Sequence, residues 1–547
     1  MSVLKRLFLI PLLVVSYFPL FSQTPTVGLI QHDSGSLDDG YILFAPLAST
    51  ETYLIDKCGH QVHSWTSAYR PGLAVYLLPD GNLLRTANTN NSYFNGSGGG
   101  GKIEKIDWNS NVIWSFSVSD SLRCQHHDIE PLSNGNILLI AWELKTPQEA
   151  TDAGRNPALI GTNLWSEALF EIQPVGTDSA IIVWEWHVWD HLVQEFDAAK
   201  DNYDVVANRP ELANLNFKAS TEQDWLHFNS VNYNASLDQI LISNHNFNEI
   251  WIIDHSTTSS EAASHSGGNS GKGGDILWRW GNALAYKHGT INDKKLFQQH
   301  SAFWIADSLP HGNDIIIFNN GNLRQPTEYS SVDIIAAQND QNGNYPGTLP
   351  YSPTSAYWSY TDIVPENFYA KNVSGAQQLP NGNVLICDGF YGVFFEIDSN
   401  KNTVWKYINP VASYIYSQGS TTLIQTNAFR CTYYPASYSG FSGHALVAGL
   451  PIELNPYPDS CSLFTANTET IQTIGFSIFP NPAENSVSIE GYGFERPFEI
   501  ELFDISGRKL MPTTHSQEFS IADLQPGLYF VRVSDDKKDC IKRLIKK

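Results

Sequence analysis

Three histidines stand at comparable places in this chain, each ahead of a turn signal. His127 opens His-Asp-Ile-Glu-Pro-Leu-Ser-Asn-Gly-Asn, His227 opens His-Phe-Asn-Ser-Val-Asn-Tyr, and His300 opens His-Ser-Ala-Phe-Trp-Ile. Three histidines at one slot of a repeating unit point to a shared centre, because a repeat gathers equivalent slots around one axis. Clustered imidazoles bind metal ions, move protons or act as nucleophiles. Asn229 and Ser230 follow His227, and Asn319 and Asn320 follow His300; such uncharged donors and acceptors suit an oxyanion. Period-two alternation puts Trp225 and Asn229 on the face of His227, and Trp304 on the face of His300, as an aromatic wall or as core. Ser374 takes the same slot in a later unit, as far before Gly382 as His127 is before Gly135.

The elements that must position these residues are short strands. A turn phrase recurs at 78–84 (Leu-Pro-Asp-Gly-Asn-Leu-Leu), 132–138, 309–315 and 379–385. Asn-Gly or Asp-Gly between apolar runs predicts hairpins with two-residue type I′ turns. A second phrase alternates with the first: a strand ending in Ile-Asp, a polar turn, then a strand carrying Trp65, Trp114, Trp184, Trp278 or Trp405. A degenerate copy starts at Val332. Two hairpins per unit make a four-stranded sheet, and such periods belong to β-propellers. The reading is all-β: a six-bladed β-propeller over 24–467, then a small β-sandwich domain over 468–547. In a propeller the first strand of each blade lines the central channel, so the histidines are expected at the channel mouth. Insertions at 145–165, 187–222, 255–275 and 322–372 are expected on one face.

The segment from Asp224-Trp-Leu-His-Phe-Asn-Ser to Leu-Asp-Gln-Ile-Leu-Ile-Ser resembles bacterial aryl-sulfate sulfotransferases. Trp278-Arg-Trp-Gly, Phe297-Gln-Gln-His-Ser-Ala-Phe-Trp and His127-Asp with its turn extend the resemblance in order over about 35–450. It implies a six-bladed propeller that moves a sulfuryl group between phenols through a sulfated histidine. His300 matches the nucleophile. His227 and Asn229 match the pair that binds the sulfuryl oxygens, and His127 matches an acid/base or sulfate-binding histidine. Ser374 matches a hydroxyl position loosely. Where the family has an arginine, this chain has His245, which replaces a guanidinium only when protonated.

The last residues, from Phe479-Pro-Asn-Pro through Leu524-Gln-Pro-Gly-Leu-Tyr to Lys542-Arg543-Leu-Ile-Lys-Lys, resemble the C-terminal sorting domain of type IX secretion substrates. That resemblance implies the type IX machinery as a partner, and a secreted or surface-attached product. At the other end, Lys5 and Arg6 precede an apolar run from Leu7 to Val15. This predicts a signal peptide over 1–23, with entry to the periplasm by the general secretory route and no integral membrane segment after cleavage. A formal charge of -23 argues against nucleic-acid partners. Export permits disulfides among Cys58, Cys124, Cys387, Cys431, Cys461 and Cys540, and no pairing follows from the sequence.

Three functional readings follow. The first is a secreted aryl-sulfate sulfotransferase-like enzyme with a phenolic sulfate donor and a phenol acceptor. It needs no cofactor and no metal, has His300, His227 and His127 as catalytic residues, and has Asn229, His245, Asn319 and Ser374 as substrate-binding residues. The second is a non-catalytic surface binding or adhesion propeller. The third is a metal-dependent hydrolase or lyase using the channel histidines, with His126-His127-Asp128 as its signal.

Overall fold

The computed structural model describes residues 24–547 except 341, 458–460, 462–474, 493–496, 506 and 536–538. The predicted signal peptide lies outside the described residues. The chain divides into two compact units, Met1–Phe464 and Thr465–Lys547.

The first unit is a succession of small antiparallel sheets. The strands Pro71–Leu77, Leu83–Asn88, Gly101–Ile106 and Val112–Ser117 form one of them. Arg123–Pro131, Ile137–Lys145, Leu164–Val175 and Ser179–His187 form the next. Phe228–Asn234, Gln239–Asn244, Glu249–Asp254 and Trp278–Trp280 follow, then His300–Trp304, Ile315–Asn319, Ser331–Ile335 and Trp358–Tyr360. Gly375–Gln378, Val384–Asp388, Val393–Ile397 and Thr403–Ile408 take Gly28–His32 as an added outer strand. The remaining sheet closes the array. Its inner strand, Ala428–Pro435, pairs with Gly40–Pro46 from the other end of the chain, and Glu51–Asp56 and Gln61–Thr66 complete it. Neighbouring sheets touch through their first strands, and Gly375–Gln378 returns to Ala428–Pro435.

The recurrent tryptophans have a physical reason. Four of the five sit on an outer strand and donate the indole N–H to a group of the following unit: Trp114 to the Ser179 carbonyl at 2.9 Å, Trp184 to the Thr257 hydroxyl at 3.1 Å, Trp278 to the Ser352 carbonyl at 3.0 Å and Trp405 to the Lys57 carbonyl at 2.7 Å, while Trp65 packs on the rings of His63 and Trp108. A buried ring with a satisfied polar tip couples one sheet to the next, where a phenylalanine would leave the acceptor unpaired.

The turn phrases differ from the expected geometry. In Leu78–Asn82 the Leu78 amide donates to the Asn82 carbonyl and the Gly81 amide to the Leu78 carbonyl. Gly81 and Gly135 have positive φ, while Asp80 and Asn134 do not. These are three-residue loops, a type I turn closed by a left-handed glycine, rather than type I′ turns. Pro79 fixes a negative φ at the first turn position, and the side chain of Asp80 accepts the Asn82 amide at 3.0 Å.

In the second unit, Gly475–Phe479, Ser486–Tyr492 and Glu518–Ser520 form one three-stranded sheet, and Glu499–Phe503, Gly527–Ser534 and Asp539–Lys546 another. They share a core that includes Phe476, Val487, Ile489, Ile500, Val531, Val533 and Leu544.

Cys58 and Cys461 form a disulfide that spans 403 residues of sequence. Cys124, Cys387, Cys431 and Cys540 are free thiols. A cross-link around so long a loop is expected to contribute about 2–4 kcal/mol. Cys58→Ser is expected to lower the thermal midpoint by several degrees in differential scanning calorimetry, and a reductant is expected to lower the wild type to the same value and leave the variant unmoved.

Candidate functional site

The inner strands are irregular where the histidines sit. Register breaks fall between Phe228 and Ser230 and between His300 and Ala302, and opposite Leu139 and Ala141 in the strand bearing His127. His127 has φ 50°, His227 φ 58° and Ser301 φ 53°. Left-handed backbone at a bulky residue costs on the order of 1–3 kcal/mol, and bulges re-aim side chains. Here they turn consecutive rings toward one cavity. Gly98 makes room, because a Cβ there would stand 2.0 Å from the His127 ring.

The cavity holds about 950 Å³ and is lined by His127, His227, His245 and His300. The rings follow one another: His127 to His227 at 4.5 Å between centroids, His227 to His245 at 4.9 Å and His245 to His300 at 5.3 Å. Leu47, Leu73, Trp165, Leu323 and Val373 give it apolar wall, and Lys218, Lys371, Glu222 and Glu328 add charge.

Hydrogen bonds behind the rings decide which nitrogen faces the cavity. The Asn320 amide nitrogen donates to the carbonyls of Ala370 and Val373, so its oxygen is what meets His300 Nδ1 at 2.8 Å. His300 therefore carries its proton on Nδ1 and keeps a lone pair on Nε2. Asn246 does the same for His245, donating to the Asp224 and Trp225 carbonyls and accepting from Nδ1 at 2.9 Å. His227 Nδ1 lies 2.5 Å from Asp224 Oδ2, while Asp224 Oδ1 accepts from Trp142 Nε1 at 3.2 Å.

His127 differs. Its Nδ1 is 2.8 Å from His126 Nδ1, and His126 Nε2 is 2.8 Å from Glu167 Oε2. His126 and Glu167 are fully buried, and the His126 ring stacks on Trp142 at 4.0 Å. A nitrogen–nitrogen hydrogen bond has one donor and one acceptor, so the chain exists in two forms. With Glu167 protonated, protons point toward His127, whose Nε2 carries hydrogen. With Glu167 ionised they point the other way, and His127 Nε2 is bare. Burial, then the Asp224 charge, hold the Glu167 carboxyl well above the usual range, although the amide of Phe228 opposes them.

Burial pushes His300 down to about 3, against the Asn320 hydrogen bond. Burial also holds His126, His127 and His245 well below the usual imidazole range, and repulsion from His227 adds to this in all three.

The structure thus brings His127, His227, His245 and His300 to one cavity. Asn319 is turned away: its oxygen accepts the Phe297 amide and its nitrogen donates to Lys295 and Asp333. Its neighbour Asn320 meets His300 instead, since successive strand residues face opposite ways. The Asn229 nitrogen donates to the Gln299 carbonyl at 2.7 Å, and Asn229 is not among the lining residues, because the bulge breaks its alternation with His227. The Ser374 hydroxyl donates to the Asn372 carbonyl and accepts the Gly389 amide. Trp225 belongs to the core, and Trp304 lines a different cavity. Arg279 is locked to Glu249, and Arg324 lies on the rings of Tyr329 and Phe297. Sequence reasoning named His126 only as part of a metal signal and missed Glu167, Asp224 and Gly98. The His126-His127 doublet and Asp224, one helical turn before His227 in numbering, were visible; Glu167, on another strand, was not.

Among the described residues, no cluster of three metal-ligating groups within 4.8 Å falls in this cavity. Asp128 is held by Arg430 and His126 by Glu167, so the His126-His127-Asp128 signal does not converge.

A buried histidine with a depressed pKa takes up its proton more readily in the unfolded chain, so its contribution to stability is lost as pH falls below about 6.5. For His300 that loss runs down to about 3. Thermal midpoints measured between pH 7.5 and 4 are expected to fall less steeply for His300→Gln than for the wild type.

Residues 47–422 match the family model described as Arylsulfotransferase (ASST), and residues 477–547 match the Secretion system C-terminal sorting domain. No curated protein matches the chain. Among solved structures, a protein of unknown function from Bacteroides caccae is 11% identical at TM-score 0.38, covering 69% of this chain and 96% of its own. A virginiamycin B lyase from Staphylococcus aureus is 10% identical at TM-score 0.32, covering 71% and 90%. No helix among the described residues is long and apolar enough to cross a membrane.

Proposed function

We propose that this chain, which belongs to the arylsulfotransferase family, carries a sulfuryl group from one phenol to another through His300. The observation that carries this reading is the Asn320 bond to His300 Nδ1, which leaves a neutral imidazole with its Nε2 lone pair in a cavity lined by other histidines. Its depressed pKa keeps that lone pair unprotonated across the neutral range. The successive sheets are read as the six blades of a propeller over 24–467, with the histidines at one end of its channel. The tail match supports export by the type IX route, after a signal peptide over 1–23, and then release or surface attachment.

In the first half-reaction His300 Nε2 attacks sulfur and the bond from sulfur to the phenolic oxygen breaks. The departing phenolate takes the proton from His127 Nε2. His126 passes its Nδ1 proton to His127, and Glu167 passes its own to His126 Nε2, which leaves Glu167 ionised. In the second half an acceptor phenol gives its proton to His127 Nε2, and the relay runs backward as the phenolate takes the sulfuryl group from His300. One buried set of groups thus serves as acid and then as base. The aryl groups lie against Leu47, Leu73, Trp165, Leu323 and Val373.

The sulfuryl oxygens need donors. His245, where the family carries an arginine, donates from Nε2 only as an imidazolium, and burial opposes that charge. Binding of the anionic donor therefore takes up a proton. Asn229, whose nitrogen is spent on the Gln299 carbonyl, acts behind the lining with Asn319 and Ser374.

Three outcomes are expected with an aryl sulfate donor and a phenol acceptor. His300→Ala abolishes acceptor-dependent phenol release; survival of that activity would sink the nucleophile assignment. Glu167→Gln slows single-turnover release by about 10²-fold with phenyl sulfate and far less with a nitrophenyl sulfate, whose leaving group needs no proton. For the wild type, kcat/KM falls about tenfold per pH unit above neutrality, and His245→Arg removes that dependence.

A further inference from the structure

We propose that His191, His265 and Asp275 form a zinc site, separate from the histidine cavity and independent of sulfuryl transfer. The three donor atoms lie within 4.8 Å of one another. His191 Nδ1 is 2.9 Å and His265 Nδ1 2.7 Å from the same oxygen, Asp275 Oδ1. The His191 and Asp275 side chains are buried and that of His265 is 53% exposed.

The contacts of His191 call for a cation. Its Nε2 is 2.7 Å from the Ala262 carbonyl, an acceptor, so Nε2 carries hydrogen. A neutral ring then presents the Nδ1 lone pair to a carboxylate oxygen, and two acceptors do not approach to 2.9 Å unless a positive centre joins them. A second proton on His191 would meet the carboxylate too, and neutral His265 meets it with a hydrogen on Nδ1. A metal satisfies all three donors and uses the Ala262 bond in the way metal-bound histidines use a carbonyl, to fix ring and tautomer. Two imidazoles and one carboxylate select zinc over calcium or magnesium, with the exposed side left for water. Zinc–donor lengths of about 2.0–2.2 Å require the donor–donor contacts to open by roughly half an ångström.

The surrounding loop gives the site a purpose. Residues 264–275, Ser-His-Ser-Gly-Gly-Asn-Ser-Gly-Lys-Gly-Gly-Asp, contain no apolar side chain to bury. Ordering such a segment costs conformational entropy, and glycine costs most. Gly274 packs directly on His191, where a Cβ would stand 2.6 Å from Nε2, and its carbonyl accepts from Trp186 Nε1 at 2.7 Å. A metal shared by His265 and Asp275 of the loop and by His191 beneath it closes both ends of the loop onto the sheet that carries Trp186.

The test uses full-length protein stripped with a chelator, titrated with zinc chloride, desalted and assayed for zinc by atomic emission. Wild type is expected to retain one equivalent that His265→Ala lacks and His300→Ala keeps, with a thermal midpoint raised several degrees by zinc only where it is retained. His265 is half exposed, so its replacement spares the core, and aryl-sulfate exchange is expected to be unchanged. Equal zinc in wild type and His265→Ala, or none in either at tens of micromolar zinc, would overturn the site and leave an imidazolium–aspartate pair.

Discussion

Asp128 is the centre of the unit that holds the histidines. Its buried carboxylate takes both ends of the Arg430 guanidinium, at 2.9 and 2.5 Å, accepts the Tyr76 hydroxyl at 3.0 Å and accepts the Val231 amide at 3.3 Å. Those partners come from the strands Ala428–Pro435, Pro71–Leu77 and Phe228–Asn234, so one carboxylate ties inner strands of separate sheets together. Buried pairs of this kind add little net stability, but removing one partner costs about 3–5 kcal/mol. The pair also divides the interior. His127, adjacent in sequence, faces the histidine cavity, while Arg430 and Tyr76 line a second cavity of about 240 Å³ with Phe303 and Trp304. Arg430 is therefore spent on Asp128, and the basic groups left to the histidine cavity are its imidazoles with Lys218 and Lys371.

That constraint explains the effort behind each ring. Asn320, Asn246, Asp224 and the His126–Glu167 pair are all concerned with where a proton sits. A guanidinium is charged at any working pH, whereas an imidazole has to be told which nitrogen carries hydrogen and when it takes a second one. The left-handed backbone at His127 and His227 is the cost of aiming the rings, offset by the pairing on either side of each bulge.

Much of the fold was legible. Apolar runs, turn glycines and repeated tryptophans depend on neighbours in sequence, and the strands appear where those patterns stand, including the degenerate copy at Val332 within Ser331–Ile335. The turn type was misread because a dipeptide rule overlooked Pro79. At the site, His127, His227, His245 and His300 were identifiable by slot and by family motif. Asn319 was chosen over Asn320 because a one-residue difference in facing is invisible without the strand's orientation, and the Asn229 alternation failed at a bulge that no local pattern announces.

What the sequence determined by itself was periodicity: short strands, tight turns, a sorting-type tail and a histidine at the same slot of three repeats. Only the tertiary structure decided the pairings that span the chain: Ala428–Pro435 with Gly40–Pro46, Cys58 with Cys461, and Glu167 with His126. The physical reason is range. Propensity and alternation act over a few residues, whereas a proton relay or an axial ion pair depends on which distant strands are packed side by side, and that is settled by closing the array as a whole.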